Sequence, residues 1–275
     1  MKIVFWASEK ARERELANAF VQGAKRHGIE AVRVNTGAPF PKGKYDYACM
    51  VGVKSAELWK QELERGVTPI MFDKGYVRVK HGQAWLYWRV SVGSHTPYET
   101  LMREYPSDRW DQLGLTPRPW RKQGTHIVIA GSSAKYHRFH DLPHPNEYTK
   151  AIVKRLQAQT TQDIFYRPKP SWRDAVPIAG TTYSVGPRSL QDDLQGAWAL
   201  VTHGSNACFD AAMMGIPSII LGGGVMKPIS STSLKELRTV KTEDRKDLFN
   251  AIAYHQWTLD EFRSGEALKT IRTWL

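Results

Sequence analysis

Val201-Thr202-His203-Gly204-Ser205-Asn206-Ala207-Cys208-Phe209-Asp210-Ala211-Ala212-Met213-Met214-Gly215-Ile216-Pro217 decides the fold. It reads as a buried strand, a tight polar turn, a short helix and a Gly-Ile-Pro stop. The apolar run Ser218-Ile219-Ile220-Leu221 follows as the next strand. The result is a β-α-β unit whose turn, at the first strand's carboxyl end, is small, polar and glycine-containing. Such a turn lets backbone N–H groups at a helix start approach an anion closely. Asp210 stands four residues after Asn206, one helical turn further along the same face. Its carboxylate suits the hydroxyls of a ribose, while Ser205 and Asn206 suit phosphate.

Working outward, the pattern repeats. Strands are expected over 2–6, 31–34, 47–51 and 68–72, with helices over 11–27 and 56–64 between them. This alternation argues for a parallel sheet covered on both faces. The rhythm fails over 74–121, a stretch rich in Trp, Tyr, Arg, Pro and Gly. A long irregular segment inside a compact chain is usually functional or a lid. Order resumes with strands over 125–130, 163–166 and 199–202, and helices over 147–159 and 206–214. Two domains are therefore expected, 1–121 and 122–275, with C-terminal helices over 247–256 and 259–274 able to cross back onto the first.

The chain has 275 residues, enough for two modest α/β domains. No apolar run approaches transmembrane length, and the start of the chain is too short in its apolar part for a signal peptide. The two cysteines, Cys49 and Cys208, fall in expected strand or helix and fit a reducing cytoplasm. No metal-ligand spacing is present, and no metal is expected. Lys and Arg number 39 against 27 Asp and Glu, a net charge of +12. That excess points to a polyanionic partner, either nucleic acid or an anionic membrane surface. Arg interleaved with aromatics, as in Trp85-Leu86-Tyr87-Trp88-Arg89 and Arg118-Pro119-Trp120-Arg121-Lys122, can stack on bases or sugars.

Three strand ends of the second domain are expected to converge on one ligand. After 125–130 comes Gly131-Ser132-Ser133-Ala134-Lys135, in which two hydroxyls, flexible backbone and a cation make a diphosphate cradle. After 163–166 comes Arg167-Pro168-Lys169-Pro170-Ser171, whose two prolines fix where Arg167 and Lys169 point. The third end is the turn His203-Gly204-Ser205-Asn206, with His203 binding donor rather than moving protons. In open α/β sheets, ligands sit beyond strand carboxyl ends.

Asp210, four intervening residues and then Gly215-Ile216-Pro217 resemble the donor-binding signature of GT-B glycosyltransferases, with Asp where Glu is usual. The Arg167–Pro170 loop resembles a His-Pro motif of capsule-polysaccharide glycosyltransferases, with Lys169 in the place of that His. Asp73-Lys74-Gly75-Tyr76-Val77-Arg78 resembles an acidic-acidic-Gly-aromatic motif of the same enzymes, with Lys74 at the second acidic position. The resemblance implies an α/β GT-B fold, two Rossmann-like domains facing a central cleft, and a nucleotide-sugar donor, a UDP-sugar first among the options. It implies Ser132, Ser133, Lys135, Arg167, Lys169, Ser171, His203, Gly204, Ser205, Asn206 and Asp210 as donor contacts.

An inverting transfer needs a carboxylate to take the acceptor's hydroxyl proton. Asp73, at the expected end of the fourth strand, suits that role; Glu9, after the first strand, is the rival. Phage DNA glycosyltransferases are also GT-B proteins, and the chain's size, charge and Arg-aromatic middle resemble them in function. The expected acceptor is then a hydroxymethylpyrimidine base in DNA, with the host cytoplasm as the compartment. The expected DNA contacts are Arg78, Lys80, Trp88, Arg89, His95, Arg118, Arg121 and Lys122. Two alternatives stay open: transfer to a cell-surface polysaccharide or lipid-linked saccharide, and a noncatalytic nucleic-acid-binding protein on the same fold.

Overall fold

The computed structural model describes residues 1–78 and 86–275, and between them only the backbone of Lys80–His81 and Ala84–Trp85, a two-stranded antiparallel ribbon. The chain forms two compact units. One comprises Met1–Arg109 together with Asn250–Leu275; the other is Trp110–Phe249.

The first unit opens with β1 (Lys2–Ala7), α1 (Ala11–Arg26), β2 (Glu30–Asn35), β3 (Tyr47–Val51), α2 (Ala56–Glu64) and β4 (Thr68–Lys74). These four strands pair in parallel in the order β2-β1-β3-β4. β5 (Trp88–Val92) then joins β4 antiparallel. It lies inside the stretch expected to be irregular. Its Arg89 and Ser91 break the apolar pattern by which a strand is recognised, yet both are buried.

The second unit carries β6 (His126–Ala130), α3 (Ala134–Phe139), α4 (Pro145–Gln157), β7 (Asp163–Arg167), β8 (Thr182–Tyr183), α5 (Leu190–Leu194), β9 (Ala197–Thr202), α6 (Ala207–Met213) and β10 (Ser218–Ile220). Its sheet is parallel throughout, in the order β8-β7-β6-β9-β10. Ile127, Ile129, Leu156, Tyr166, Val201 and Ile219 fill its core. Leu156 comes from α4; the others, β-branched or aromatic, suit strands buried on both faces.

The chain returns to the first unit through α7 (Lys246–Tyr254), β11 (Gln256–Trp257), α8 (Leu259–Ser264) and α9 (Glu266–Ile271). β11 pairs antiparallel with β5 and closes the first sheet's edge. Phe262 of α8 packs edge-on against Phe72 of β4 (5.6 Å) and beside Phe20 of α1 (6.3 Å), in the core that also holds Phe5, Leu16 and Leu268. The single helix expected over 259–274 is broken at Gly265, whose φ of 88° only glycine adopts readily. Thr258 begins α8 with a reciprocal capping box to Glu261.

Each sheet has one place where the strand order reverses direction. In the first it lies between β1 and β3, and in the second between β6 and β9. The crevice beyond the carboxyl ends at such a point is where open α/β sheets bind ligands.

Candidate active site

In the second unit, four loops meet the sheet's carboxyl edge. Gly131 follows β6 and approaches β7 so closely that its N–H donates to the Arg167 carbonyl at 2.9 Å. Ser132 is buried, Ser133 stands half-buried at the cap position of α3, and Lys135 is exposed two residues on. Lys169 and Ser171 are exposed in the loop after β7. The turn after β9 is built by Thr202, whose hydroxyl donates to the Ala130 carbonyl (3.0 Å) and accepts from the Ser205 N–H (3.1 Å). The β6 and β9 ends are thus tied together at the reversal point. Ser205, Asn206 and Asp210 follow in one half-buried row.

The fourth loop, Gly222-Gly223-Gly224 after β10, was not among the sequence expectations. Its signal was present: three glycines directly behind the apolar Ile219-Ile220-Leu221. Two of these glycines make room for something specific. A side chain at Gly222 would overlap the His203 ring, and one at Gly224 would crowd Ile220. Across the turn, a side chain at Gly204 would collide with the Gly223 carbonyl and the Tyr136 hydroxyl. Lys227 follows on the same loop.

His203 is the best-defined side chain here. Its Nδ1 is 2.7 Å from the Tyr148 hydroxyl, and its ring lies 6.0 Å from Tyr136 and 6.1 Å from His140. Burial foremost, and then the nearby His140, His137 and Lys227, push its pKa down to about 4. It is neutral at pH 7. Burial also raises the Tyr148 pKa, so the phenol keeps its proton. His203 is therefore an uncharged imidazole whose Nδ1 is held by the Tyr148 hydroxyl.

Arg167 does not join this group. Its guanidinium donates to Asp193 Oδ2 at 2.8 Å and to Ser184 Oγ at 3.3 Å. Asp193, on α5, is wholly buried and also accepts from Ser184 (2.6 Å) and Arg188 (3.0 Å). A buried carboxylate demands such partners, and Arg167 supplies the main one. Its guanidinium is therefore engaged inside the fold, sharing the Asp193 carboxylate with Arg188.

The first unit carries a charge network on the carboxyl edge of its own sheet. Asp73, on β4, lies 3.4 Å from Arg89 of β5, and its other oxygen accepts from the Lys74 N–H at 2.7 Å. Arg89 is 7% exposed and also donates to His95 Nε2 at 2.8 Å. Because arginine only donates, that nitrogen accepts, and His95 is held in its Nδ1–H tautomer. Arg12 stacks on Trp88 at 4.1 Å; burial lowers its pKa, only partly offset by the nearby Asp73 and Glu13.

Glu13 was missed by sequence reasoning, being an ordinary acid on a helix face. It is buried and accepts from the Ser8 hydroxyl (2.6 Å), the Ser8 N–H (3.2 Å) and Lys54. Burial raises its pKa, but Lys54 and Ser8 outweigh that and leave it lowered. Glu9 is exposed, held by Asn35 and Arg14.

The residues expected to meet DNA divide. Trp88, Arg89 and His95 are buried, at 3%, 7% and 8% exposure, so they are core and network residues and not an exposed surface. Arg78, Arg118 and Lys122 are exposed and Arg121 is half-buried. The backbones of Arg118 and Arg121 are fixed by bonds to Met213 (2.9 Å) and Gly215 (2.7 Å) at the end of the β-α-β unit. The Lys80 side chain lies outside the described residues. Among those residues, no group of His, Cys, Asp and Glu is arranged to hold a metal, and no helix is long and apolar enough to cross a membrane.

No protein-family model matches the chain, and no curated protein sequence matches it. Solved structures do. The β-Kdo 2,7-transferase KpsC of Thermosulfurimonas dismutans is similar over 98% of this chain and 100% of its own, with a TM-score of 0.59 and 15% identity. The β-Kdo 2,4-transferase KpsC of the same organism is similar over 94% and 92%, with a TM-score of 0.52 and 13% identity. At such identities the likeness is one of fold: the chain has the two-domain GT-B architecture.

Proposed function

We propose that this chain is a glycosyltransferase that moves a sugar from a nucleotide-sugar donor onto a saccharide hydroxyl. One observation carries the reading. Four small, polar loops of the second unit surround its strand-order reversal, with a neutral His203 and the cation of Lys227 among them. That is a set of hydroxyls, backbone N–H groups and a neutral imidazole with lysines at its margin, suited to a diphosphate or phosphate ester. Ser133, Ser205, Asn206 and Lys227 are assigned to phosphate, and Asp210 to the ribose. Lys135, Lys169 and Ser171 form an exposed rim that long side chains can bring to the nucleotide.

In the transfer, the acceptor oxygen bonds to the anomeric carbon as the bond from that carbon to the phosphate oxygen breaks. The nucleotide leaves with the electron pair, and the acceptor's proton goes to a carboxylate. Asp73 is assigned as that base, oriented by Arg89. Two solved structures similar in fold over nearly the whole chain are Kdo transferases by name, which supports a saccharide acceptor. The test is nucleotide release from a panel of CMP-, UDP-, GDP- and dTDP-sugars, with saccharide acceptors or hydroxymethylated DNA. Absence of turnover with every donor would sink the reading.

A second reading, DNA as acceptor, is favoured by the net charge of +12. Within the second unit, the exposed Arg118 and Lys122, with Arg121, would supply contacts to it, as would the exposed Arg78 within the first. Duplex binding should then weaken steeply as salt rises, because each neutralised phosphate releases counterions. Binding that is absent at low salt removes this acceptor and leaves the saccharide.

A further inference from the structure

At the opposite edge of the second sheet, where β6, β7 and β9 begin, lies a groove of about 740 Å³. Strands of five residues separate it from the loops around His203 by on the order of 15 Å. Gln159, Thr160, Gln162, Trp198 and Arg238 line it, with further glutamines at 123 and 157. We infer that this groove is a second, noncatalytic binding site for a neutral oligosaccharide chain.

The chemistry of the lining supports that ligand over others. Gln162 donates through Nε2 to the Gly124 carbonyl, and Gln159 through Nε2 to the Arg155 carbonyl, both at 2.9 Å. A carbonyl only accepts, so each amide must turn its NH₂ group inward. Both amides thereby keep Oε1 as an acceptor. The Thr160 hydroxyl accepts from the Gln162 N–H at 3.1 Å and retains its own proton to donate. Fixed acceptors beside a hydroxyl donor complement sugar hydroxyls, which both donate and accept.

Trp198 supplies the apolar element. Its indole N–H is committed to the Leu237 carbonyl at 2.9 Å, which fixes the ring while leaving it half-buried at the groove. A fixed aromatic face costs little entropy on binding and suits the C–H face of a pyranose. A nucleic acid would need several cations along its path. Arg238 is the one charged residue lining the groove, too few for a phosphate backbone.

The site does not depend on the transferase reading, and its test is separate from turnover. The ¹⁵N-labelled full chain is titrated with maltohexaose, with chitohexaose and with a 20-base-pair DNA duplex. The expected result is that an oligosaccharide shifts the Trp198 indole N–H, assigned with Trp198→Phe, while the duplex does not. Gln159→Ala with Gln162→Ala should weaken that binding by at least about tenfold, as two hydrogen bonds imply. Its nucleotide affinity should stay unchanged, while its melting temperature falls by no more than the loss of the two bonds to Arg155 and Gly124 implies. If the double variant is unstable, Thr160→Val serves instead. The inference is overturned if neither oligosaccharide moves the indole signal at millimolar concentration, if the variants bind as the parent does, or if only the duplex binds.

Discussion

Asp73 and Arg89 stand directly opposite each other in the antiparallel β4–β5 register, their side chains 3.4 Å apart. Asp73 is 36% exposed on its side chain and Arg89 only 9%. The pair therefore has a wet end and a dry end. The carboxylate faces outward, and a buried guanidinium shared with His95 holds it in place.

Asp73→Asn preserves shape and removes the proposed base. Turnover should fall at least about a hundredfold, within the usual range for general-base assistance, while nucleotide affinity stays as it was. Calorimetry and steady-state rates on one preparation decide it. Normal turnover would return the role to Glu9, or to the buried Glu13 cluster.

Arg89→Met should act differently. It leaves His95 Nε2 without its donor and Asp73 without its orienting partner. Stability should drop by about 1–3 kcal/mol in urea unfolding, and turnover should fall without loss of nucleotide binding. A variant as stable and as active as the parent would show the pair to be idle.

Gly222→Ala and Gly204→Ala separate binding from folding. The first would push its methyl into the His203 ring and should weaken nucleotide binding by roughly tenfold or more with a modest fall in melting temperature. The second would strike the Gly223 backbone, which cannot move aside cheaply, and should mainly destabilise the second unit. Tyr148→Phe, which removes the hydroxyl beside His203 Nδ1, should weaken nucleotide binding by about 0.5–1.5 kcal/mol. Equal affinity in Gly222→Ala and Tyr148→Phe would remove His203 from the donor site.

Acid should destabilise the fold between pH 6.5 and 4. His255 is wholly buried, with Nδ1 donating to the Ala251 carbonyl (2.7 Å) and Nε2 placed 2.8 Å from the Thr100 hydroxyl. Burial pushes its pKa down to about 4, as it does for His203. Below 6.5 the unfolded chain takes up protons that the folded chain refuses. The stability present above pH 6.5 is thus lost progressively as pH falls to about 4, by on the order of 3 kcal/mol for His255. Urea midpoints at pH 7.5 and 4.5 measure this, and His255→Gln should flatten part of the slope. Identical midpoints would contradict it.

The α/β frame was legible because parallel strands buried on both faces read as apolar runs, as in Ile3-Val4-Phe5 and Ile127-Val128-Ile129. β5 was not, because its Arg89 is polar in sequence yet neutralised in three dimensions by Asp73 and His95. Arg167 was misjudged for the same reason. Its partner Asp193 sits 26 residues away on α5, a helix announced only by the capping box of Ser189 and Asp192. The loops around His203 were readable from small polar residues at a strand end. The Gly222–Gly224 loop carried that same signal one strand later. Glu13 could not be read, because what sets it apart is Lys54, 41 residues on.

The first unit is interrupted, with the whole of Trp110–Phe249 inserted between its two pieces. On the ribosome, the second unit's residues are all synthesised before Phe262 and Leu268 exist to finish the first unit's core. The unit that starts first is thus completed last. A translating ribosome carries an open sheet edge, awaiting β11, through more than half of the chain. A stop codon near residue 250 would therefore yield a finished second unit joined to a first unit lacking its edge strand and two of its helices.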